Sequence, residues 1–318
     1  MKKKIFNEEK IEGRVYQHKL QIKTVQDKES KNYGTEYITG TLDVATDEEG
    51  LNVVSTHYTY VTEMTKNGKK NVTFGVLKSI IDGAKTWIID GKDAAFKVRL
   101  TPALALNDFY TDDDELVSVK INEGGFANAV SSLSEDENER ATFHCDILIT
   151  SVNRIEANED NNIPEDYLTI KGAVFNFKND ILPIEFVCRR EDGMSYFESL
   201  DASPSNPVFT EVRGQIVATT IEREIKEESA FGSAMVKKVP KNIKEWRIVW
   251  ARPVEYAFGE EDTITVEDIQ KALQDREVYL AGIKKRRDDW RATRNAAGPA
   301  EKNVPDNAMN IPAGGFNF

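Results

Sequence analysis

The sequence contains few of the residues that build metal centres and disulfide frameworks. It has two cysteines, Cys145 and Cys188, and three histidines in 318 residues. The cysteines follow no metal-ligand spacing and lie within strand-like segments, so we predict buried thiols in a reducing compartment, with a disulfide as the minor alternative. The histidines, His18, His57 and His144, also lie within predicted strands and lack the spacing of zinc ligands. We therefore predict no metal ligand.

Motifs for catalysis and for nucleotide binding are missing as well. The sequence has neither the GxSxG motif of serine hydrolases nor the HExxH motif of zinc proteases. Segment 83–86, Gly-Ala-Lys-Thr, resembles the end of a phosphate-binding loop, but Ala84 separates its glycine from its lysine, and no glycine lies at the required upstream position. We expect a protein that is not an enzyme, with no catalytic residue and no cofactor.

Long apolar runs are absent, and positive charge is in the minority. No segment approaches the ~18 consecutive apolar residues of a membrane span. Charged residues follow the N-terminal lysines where a signal peptide would have an apolar stretch. The net charge is −12, from 42 Lys and Arg against 54 Asp and Glu. That balance argues against a uniformly basic nucleic-acid coat but leaves room for a local basic groove. We expect a soluble, intracellular protein that contacts no membrane.

Strand-forming sequence is abundant, and residues 37–61 carry the clearest pattern. They are typical of two strands joined by a turn at 47–50. In the second strand, Tyr58 and Tyr60 alternate with His57 and Thr59, so the tyrosines share one face and the histidine lies on the other. Alternation does not say which face points outward, and both alternatives stay open.

The first half of the chain predicts five strands and one helix. The predicted strands are 14–25, the two strands of 37–61, 96–110 and 116–121. A helix at 72–84, with Asn71 as its N-cap, lies between the third and fourth strands. The resulting order is β-β-β-α-β-β. We predict that residues 1–12 form a flexible arm.

The same order starts again after the acidic boundary 131–140. The predicted elements of the second half are strands 143–152, 167–177 and 181–189, a short helix at 192–200, and strands 209–225 and 243–254. The halves form a weak internal repeat, because the hairpin of 37–61 corresponds to a second hairpin at 167–190. Each half also has a glycine in its second strand, Gly40 and Gly172. Such a glycine often marks the bend where a small barrel turns a corner. Between the last two strands we predict a flexible, partly basic loop at 227–241.

Five strands with a helix between the third and the fourth are the element order of the OB-fold. On this order and on the duplicated hairpin, residues 13–255 resemble tandem OB-fold single-stranded DNA-binding proteins of bacteriophage type. The resemblance implies a mainly β protein with some α-helix, whose two OB-like five-stranded barrels occupy 13–130 and 141–258. It also implies non-sequence-specific binding of single-stranded DNA during replication, recombination and repair. The location would be the cytoplasm, that of the host cell for a phage protein.

Binding of a single strand needs aromatic rings that stack on bases, cations along the backbone path, and a groove. In an OB-fold the exposed face of the second and third strands and the adjoining loops supply them. In the first barrel the predicted nucleic-acid-binding residues are Tyr58, Tyr60, His57, Lys66, Lys69, Lys70, Arg99, Phe109 and Tyr110. In the second barrel they are Phe177, Arg189, Arg190, Arg213, Lys237, Lys238 and Trp246. We expect about half of the candidate rings to be core residues, and the affinity to fall steeply with rising salt.

A helix at 263–295 and a tail at 296–318 complete the chain. Asp268, three residues after Thr265, resembles a capping box with Asp in place of Glu. Apolar residues recur along the helix at alternating steps of four and three, with arginines at two of the positions: Ile269, Leu273, Arg276, Leu280, Ile283, Arg287 and Trp290. This stripe can pair with another protein or pack on the second barrel, and both stay open. We predict a disordered tail. Replication or recombination proteins are candidate partners of the helix or tail, and a homo-oligomer is left open.

Two other functions compete with DNA binding. One is a structural or assembly protein, of phage virion or scaffold type, that uses the C-terminal helix for protein contacts. The other is a β-protein that binds carbohydrate or peptide. Salt-sensitive quenching of tryptophan fluorescence by oligo(dT) would favour DNA binding, whereas self-assembly without quenching would favour the structural role.

Overall fold

The computed structural model describes residues 5–158, 163–227, 231, 235–254 and 265–296. Eleven strands of these described residues form one continuous hydrogen-bonded sheet. The sheet closes on itself twice, because two additional strand pairings join elements that are not neighbours in the linear strand order. The result is two β-barrels that share one sheet.

The first barrel has five main strands and one short additional strand. Its elements are β1 (Asn7–His18), β2 (Gln21–Thr24), β3 (Glu36–Ala45), β4 (Val53–Thr62), α1 (Val72–Ile81), α2 (Trp87–Asp90), β5 (Lys97–Tyr110) and β6 (Leu116–Ala129). Strand β1 pairs with β3 and β5, β3 pairs with β4, and β5 pairs with β6, all antiparallel. Parallel pairing of β4 with β6 closes the barrel. The short β2 extends the sheet beside β3.

The second barrel repeats this connectivity. Its elements are β7 (Ala141–Ile155), β8 (Tyr167–Phe175), β9 (Ile181–Cys188), α3 (Glu191–Ser199), β10 (Val208–Glu227) and β11 (Met235–Ala251). Strand β7 pairs with β8 and β10, β8 with β9, and β10 with β11, again antiparallel. Strands β9 and β11 are the parallel pair. With the helices α1 and α3 before the fourth strand, both barrels have OB topology, and the predicted fold class is confirmed.

Helix α1 forms where the sequence predicts it and packs against the first barrel. The Asn71 side chain accepts a hydrogen bond from the backbone N–H of Thr73, as an N-cap residue does. Phe74, Leu77 and Ile80, spaced three residues apart, are buried in the hydrophobic core. Each such apolar side chain stabilises the fold by about 1.5–3 kcal/mol when fully buried, so this short helix depends on the barrel for its stability.

The predicted flexible arm at 1–12 is wrong from Asn7 onward, where β1 begins. Two of its residues, Glu9 and Glu12, are buried carboxylates. Glu9 accepts a hydrogen bond from Trp246, and Glu12 forms an ion pair with Arg99. The usual apolar alternation of a strand is therefore interrupted by acids whose partners lie far away in the sequence. Residues 1–4 lie outside the described part of the chain.

The predicted flexible loop at 227–241 is also wrong where the structure describes it. Strand β11 begins at Met235, and its first residues pair with Ile221 to Glu227 of β10. Pro240 lies within this strand, opposite Glu222. Proline is tolerated there because, among the described pairings, β11 meets its second neighbour, β9, at Arg247 and not near Pro240. A long two-stranded ribbon thus replaces the expected loop.

The C-terminal helix α4 (Val266–Ala296) is confirmed and packs on its own chain. Thr265 and Asp268 form the predicted capping box, with the Asp268 N–H donating to Thr265 Oγ1 over 3.1 Å. Ile269 and Ala272 pack against Phe175 of the second barrel. Arg276 forms an ion pair with Asp108 of the first barrel. The helix therefore contacts both barrels. None of the described helices combines the length and apolar character needed to cross a membrane.

Candidate nucleic-acid interface

A groove of about 1700 Å³ runs between the two barrels. Strands β5 and β6 form its wall on the first barrel, and β10 with the β8–β9 turn forms its wall on the second. The first residues of β1 lie along it, and α4 contributes Asp275, Arg276 and Tyr279. We call this cleft the inter-barrel groove. A smaller cavity of about 440 Å³ also lies between the barrels, lined by β4 and β10 among other elements.

Phe126 is the aromatic side chain on the first wall, and it is 70% exposed. It follows Gly124 and Gly125, which adopt positive φ values of 66° and 76°. At this point the β5–β6 register shifts between Thr101 and Ala103. A Cβ atom on Gly125 would overlap the Thr101 carbonyl, so the local backbone requires glycine. This bulge leaves Phe126 on the surface while the next residue, Ala127, is buried.

Phe177 is its counterpart on the second wall, and it is 90% exposed. It lies in the β8–β9 turn, which the Asn176 side chain holds together. Asn176 Oδ1 accepts hydrogen bonds from the backbone N–H groups of Lys178 and Asp180 over 2.8 and 2.9 Å. The Lys178 ammonium lies 5.5 Å from the centre of the Phe177 ring. An ordered turn thus presents an aromatic ring and a cation together.

The three arginines of the groove have carboxylate partners. Arg99 Nε lies 2.6 Å from Glu12, Arg213 Nη2 lies 3.0 Å from Glu211, and Arg276 is paired with Asp108. The Arg213 guanidinium also lies over the Trp250 ring at 5.0 Å. The lining further includes the acidic residues Glu8, Glu123, Glu139 and Asp275. The inter-barrel groove is therefore rich in exposed rings but is not strongly basic.

A buried polar cluster lies beneath the groove. Trp246 Nε1 donates to Glu9 Oε1 over 2.9 Å, and burial raises the pKa of Glu9 to about 8. Lys120, from β6, donates to the Glu185 carbonyl over 2.7 Å and lies 4.9 Å from the centre of the Trp246 ring. Burial lowers the pKa of Lys120. The cluster joins the first barrel to the second. Trp246 is a core residue, so its predicted stacking role is wrong.

The hairpin of 37–61 also differs from its predicted role. Tyr58 is 1% exposed and points into the first barrel, so its predicted role in base stacking is wrong. Tyr60 is exposed, but its ring packs 4.7 Å from that of Tyr37 and does not line the groove. His57 is half-buried 3.5 Å from the Thr41 hydroxyl, and burial lowers its pKa. Thr59, on the same face as His57, does line the groove.

The remaining candidates of the first barrel lie outside the groove lining, apart from Arg99. Tyr110 is half-buried, with Lys284 and Arg287 of α4 at 5.8 and 5.4 Å from its ring. The other half-buried ring is Phe109, and the exposed turn after β4 carries Lys66, Lys69 and Lys70. For these residues a contact with nucleic acid stays a prediction.

In the second barrel, the candidates Phe177 and Arg213 line the groove, where a binding residue would be expected. Arg189 instead bridges Glu245 at 2.9 Å and covers the Tyr167 ring, and Arg190 pairs with Asp192 at 2.6 Å. The backbones of Lys237 and Lys238 belong to β11, and their side chains lie outside the described part of the structure.

Among the groove residues that the sequence-based candidates did not include are Phe126, Lys178 and Tyr279, which carry rings or charge. Two had a local signal. Phe126 directly follows two glycines in a strand, and Lys178 belongs to a polar turn next to Phe177. Tyr279 had none, because its place in the groove depends on how α4 packs across the barrels.

Both cysteines are buried free thiols, as predicted. Burial raises the pKa of Cys145 and of Cys188, which keeps both protonated and unreactive. Among the described residues no group of three or more His, Cys, Asp or Glu side chains is arranged to hold a metal ion.

The topology and the groove define a class of protein, one built on tandem OB barrels with a shared cleft. A model of the YorF family matches residues 7–286, and the chain belongs to that family. No curated protein matches the sequence.

Among solved structures, the fold is similar to that of a deletion mutant of the single-stranded DNA binding protein from Thermus aquaticus. The two sequences are 12% identical, the match covers 81% of this chain and 98% of that chain, and the TM-score is 0.45. Similarity at this level is too low to transfer a function from one protein to the other.

Proposed function

We propose that this protein binds single-stranded DNA without sequence specificity, that the strand lies in the inter-barrel groove, and that no reaction is catalysed. The observation that carries the proposal is the pair of exposed rings, Phe126 and Phe177, on opposite walls of one groove between two OB barrels. A base stacked on such a ring contributes about 1–3 kcal/mol. OB barrels bind oligonucleotides or oligosaccharides, and flat apolar rings suit bases.

The charges of the groove favour a single strand over a duplex. A duplex hides the faces of its bases and offers mainly phosphates, whose binding needs many free cations. Here Arg99 and Arg213 are already paired with carboxylates, and Glu123 and Asp275 add negative charge to the lining. A single strand can still stack its bases on Phe126 and Phe177. Base stacking, with a smaller phosphate contribution, then provides the affinity.

We further propose that the bound strand is an intermediate of replication, recombination or repair, and that the protein acts in the cytoplasm, the host's if a phage encodes it. The two free thiols support a reducing compartment. Contacts with replication or recombination proteins through α4 or the tail, and formation of a homo-oligomer, belong to the same proposal. The tail lies outside the described residues.

The test is binding of labelled oligo(dT) of about 16 nucleotides at ~50 mM salt, followed by fluorescence anisotropy. The variant Phe126→Ala/Phe177→Ala should lose about 2–6 kcal/mol of binding free energy, one stacking contribution per ring. The matched control is Tyr33→Ala, another exposed aromatic residue, which does not line the groove. Absence of binding by the unmodified protein would reject the function. Equal losses in the control and the double variant would reject the location.

A structural or assembly role is the second candidate, and one observation favours it. Val278, on the side of α4 opposite Ile269, is 73% exposed, and Leu273, one turn after Ile269 on the packed stripe, is still 46% exposed. Exposed apolar side chains of this kind suit a protein contact. Size-exclusion chromatography with light scattering tests this role. Self-assembly that Leu273→Ser/Val278→Ser abolishes, together with no response to oligo(dT), would favour assembly over DNA binding.

A further inference from the structure

We infer that the two barrels form one rigid binding site, so that a single DNA strand crosses from the Phe126 wall to the Phe177 wall and each chain binds one strand. This inference rests on the proposed function. The alternative is two OB sites, one per barrel, that act in series. The geometry of the joint between the barrels decides in favour of one site.

The joint is a strand and not a linker. Within β1, residues from Ile11 to His18 pair with β5 and β3 of the first barrel. Residues from Asn7 to Ile11 of the same strand pair with Cys145 to Ala141 of β7, the first strand of the second barrel. A strand that is hydrogen-bonded in both barrels cannot act as a hinge without breaking a ladder. The barrels therefore keep one relative orientation.

The Asn7 side chain ties the two groove walls together. Its Nδ2 donates to the Leu104 carbonyl of β5 over 2.9 Å and to the Phe175 carbonyl of β8 over 3.2 Å. Its Oδ1 accepts from the Leu104 N–H over 3.0 Å. Leu104 belongs to the wall that carries Phe126, and Phe175 lies two residues before Phe177. One amide thus fixes the position of the second wall relative to the first.

Two further contacts hold the barrels together at other places. Lys120 of β6 donates to the Glu185 carbonyl of β9. Asn52, before β4, donates to the Ile216 carbonyl over 3.1 Å and accepts from the Ala218 N–H over 2.7 Å, both in β10. One cluster of buried apolar residues also includes side chains of both barrels. The inter-barrel groove is therefore present before any ligand binds.

A preformed groove changes how a strand binds. Once the first bases stack on one wall, the second ring is held at a fixed distance, so its binding becomes intramolecular. No ordering of the two barrels is required, which removes a cost that flexibly linked domains have. A strand that reaches both rings should therefore bind as one unit with a single affinity.

The experiment titrates the full chain with oligo(dT) of about 16 nucleotides, at the upper end of what one OB fold covers. Protein well above the dissociation constant gives the stoichiometry, and dilute protein gives the affinity. We expect one strand per chain and a single-phase curve. Phe126→Ala and Phe177→Ala should each weaken that single phase, by about 5- to 150-fold, the factor that corresponds to one stacked base. Tyr33→Ala should leave the affinity within about twofold, as for a ring outside the groove.

Two results would contradict a single site that spans both barrels. Two strands per chain, or a two-phase curve in which each alanine variant weakens one phase and leaves the other unchanged, would overturn the single site while keeping DNA binding. If the unmodified chain does not bind oligo(dT) at all, the proposed function itself fails. Both phenylalanines are exposed, so the variants should fold, and unchanged urea unfolding midpoints would verify this.

Discussion

The residue with the clearest consequence for stability is Glu9, whose pKa burial raises to about 8 from an ordinary 4.5. Below about pH 4.5 the carboxyl is protonated in both the folded and the unfolded chain, so Glu9 does not lower the free energy of unfolding there. As the pH rises towards 8, the unfolded chain releases the proton and the folded chain keeps it, so stability is lost over that window. We expect a loss on the order of a few kcal/mol.

Glu9→Gln tests this residue, because its amide oxygen can still accept the Trp246 hydrogen bond and cannot ionise. The variant should be more stable than the unmodified protein at pH 8 and should lack the decline between pH 5 and 8, measured by urea unfolding across that range. Glu36→Gln, at an exposed position of β3, is the control and should keep the decline. If the two variants behave alike, Glu9 is not the group responsible.

Gly125 gives a second prediction at the residue scale. Alanine there would require a positive φ and would overlap the Thr101 carbonyl, so Gly125→Ala should destabilise the protein by about 1–3 kcal/mol. It should also weaken DNA binding by displacing Phe126. The matched control is Gly75→Ala in α1, where an added Cβ atom meets nothing within 4 Å. This variant should stabilise the protein by up to about 1 kcal/mol. Differential scanning calorimetry compares the melting temperatures of the two variants, and equal values would contradict the role of the bulge.

Side-chain direction was predictable from the sequence only in part. Val54, Thr56 and Tyr58 share one face of β4, as alternation indicates, and all three are buried. Tyr60 has the same parity and is exposed, since it lies at the shift of the β3–β4 register between the pairs Gly40–Tyr58 and Ile38–Val61. Alternation assigns faces within a strand, but it does not say where the barrel interior ends.

At the scale of elements, α4 is held by an ion pair whose loss should be costly. Arg276 makes two hydrogen bonds to Asp108, of 3.0 and 3.2 Å, and the Asp108 side chain is almost fully buried. Arg276→Ala leaves that carboxylate without its cation, a change that typically costs about 3–5 kcal/mol. We expect faster hydrogen exchange throughout 266–296 as the helix detaches from the first barrel.

Two further variants test this account. Arg286→Ala, at an exposed position of the same helix, should change the exchange little. Adding Asp108→Asn to Arg276→Ala should restore part of the stability, because the uncompensated charge is then absent. Failure of the second substitution to restore any stability in urea unfolding would show that the arginine acts through packing and not through the ion pair.

Elements with a complete local signal were predictable, and those completed by distant partners were not. Helix α1 has its cap and its apolar stripe within 72–81, and the sequence predicts it. Strand β1 extends further than predicted because Glu9 and Glu12 find their partners in Trp246 and Arg99. The first part of strand β11, Met235 to Asn242, was missed because lysines and Pro240 are unusual in a strand. Pairing with β10 provides hydrogen-bond partners for the backbone of this segment, regardless of its side chains.

For the whole molecule, the duplicated order of elements is enough to predict two OB barrels, since barrel closure follows from strand order. The groove is not predictable in the same way. It depends on how β1, Asn7 and Lys120 orient one barrel against the other, and no local pattern encodes an orientation. Hence the sequence finds Arg99, Phe177 and Arg213 by residue type but misses Phe126 and Tyr279.

The whole-molecule charge leads to a prediction about salt that differs from the sequence-based expectation of a steep decline. Of the five cations that line the groove, we expect Arg99, Lys178 and Arg213 to meet phosphates, and two of these three are already paired with carboxylates. With three phosphate contacts, the slope of log affinity against log salt for a single strand should be about −2. Raising the salt from 50 to 200 mM should then reduce the affinity for oligo(dT) only about 20-fold.

Anisotropy titrations at four or more salt concentrations measure this slope. Lys178→Ala should make it shallower by about 0.7, the contribution of one phosphate contact. Lys66→Ala, an exposed lysine outside the groove lining, should leave it unchanged. A slope steeper than about −5 would require more phosphate contacts than the inter-barrel groove offers. If Lys66→Ala then made the slope shallower, the DNA strand would follow the basic turn after β4 and not the groove. Stacking on Phe126 and Phe177 would then not be the main source of affinity.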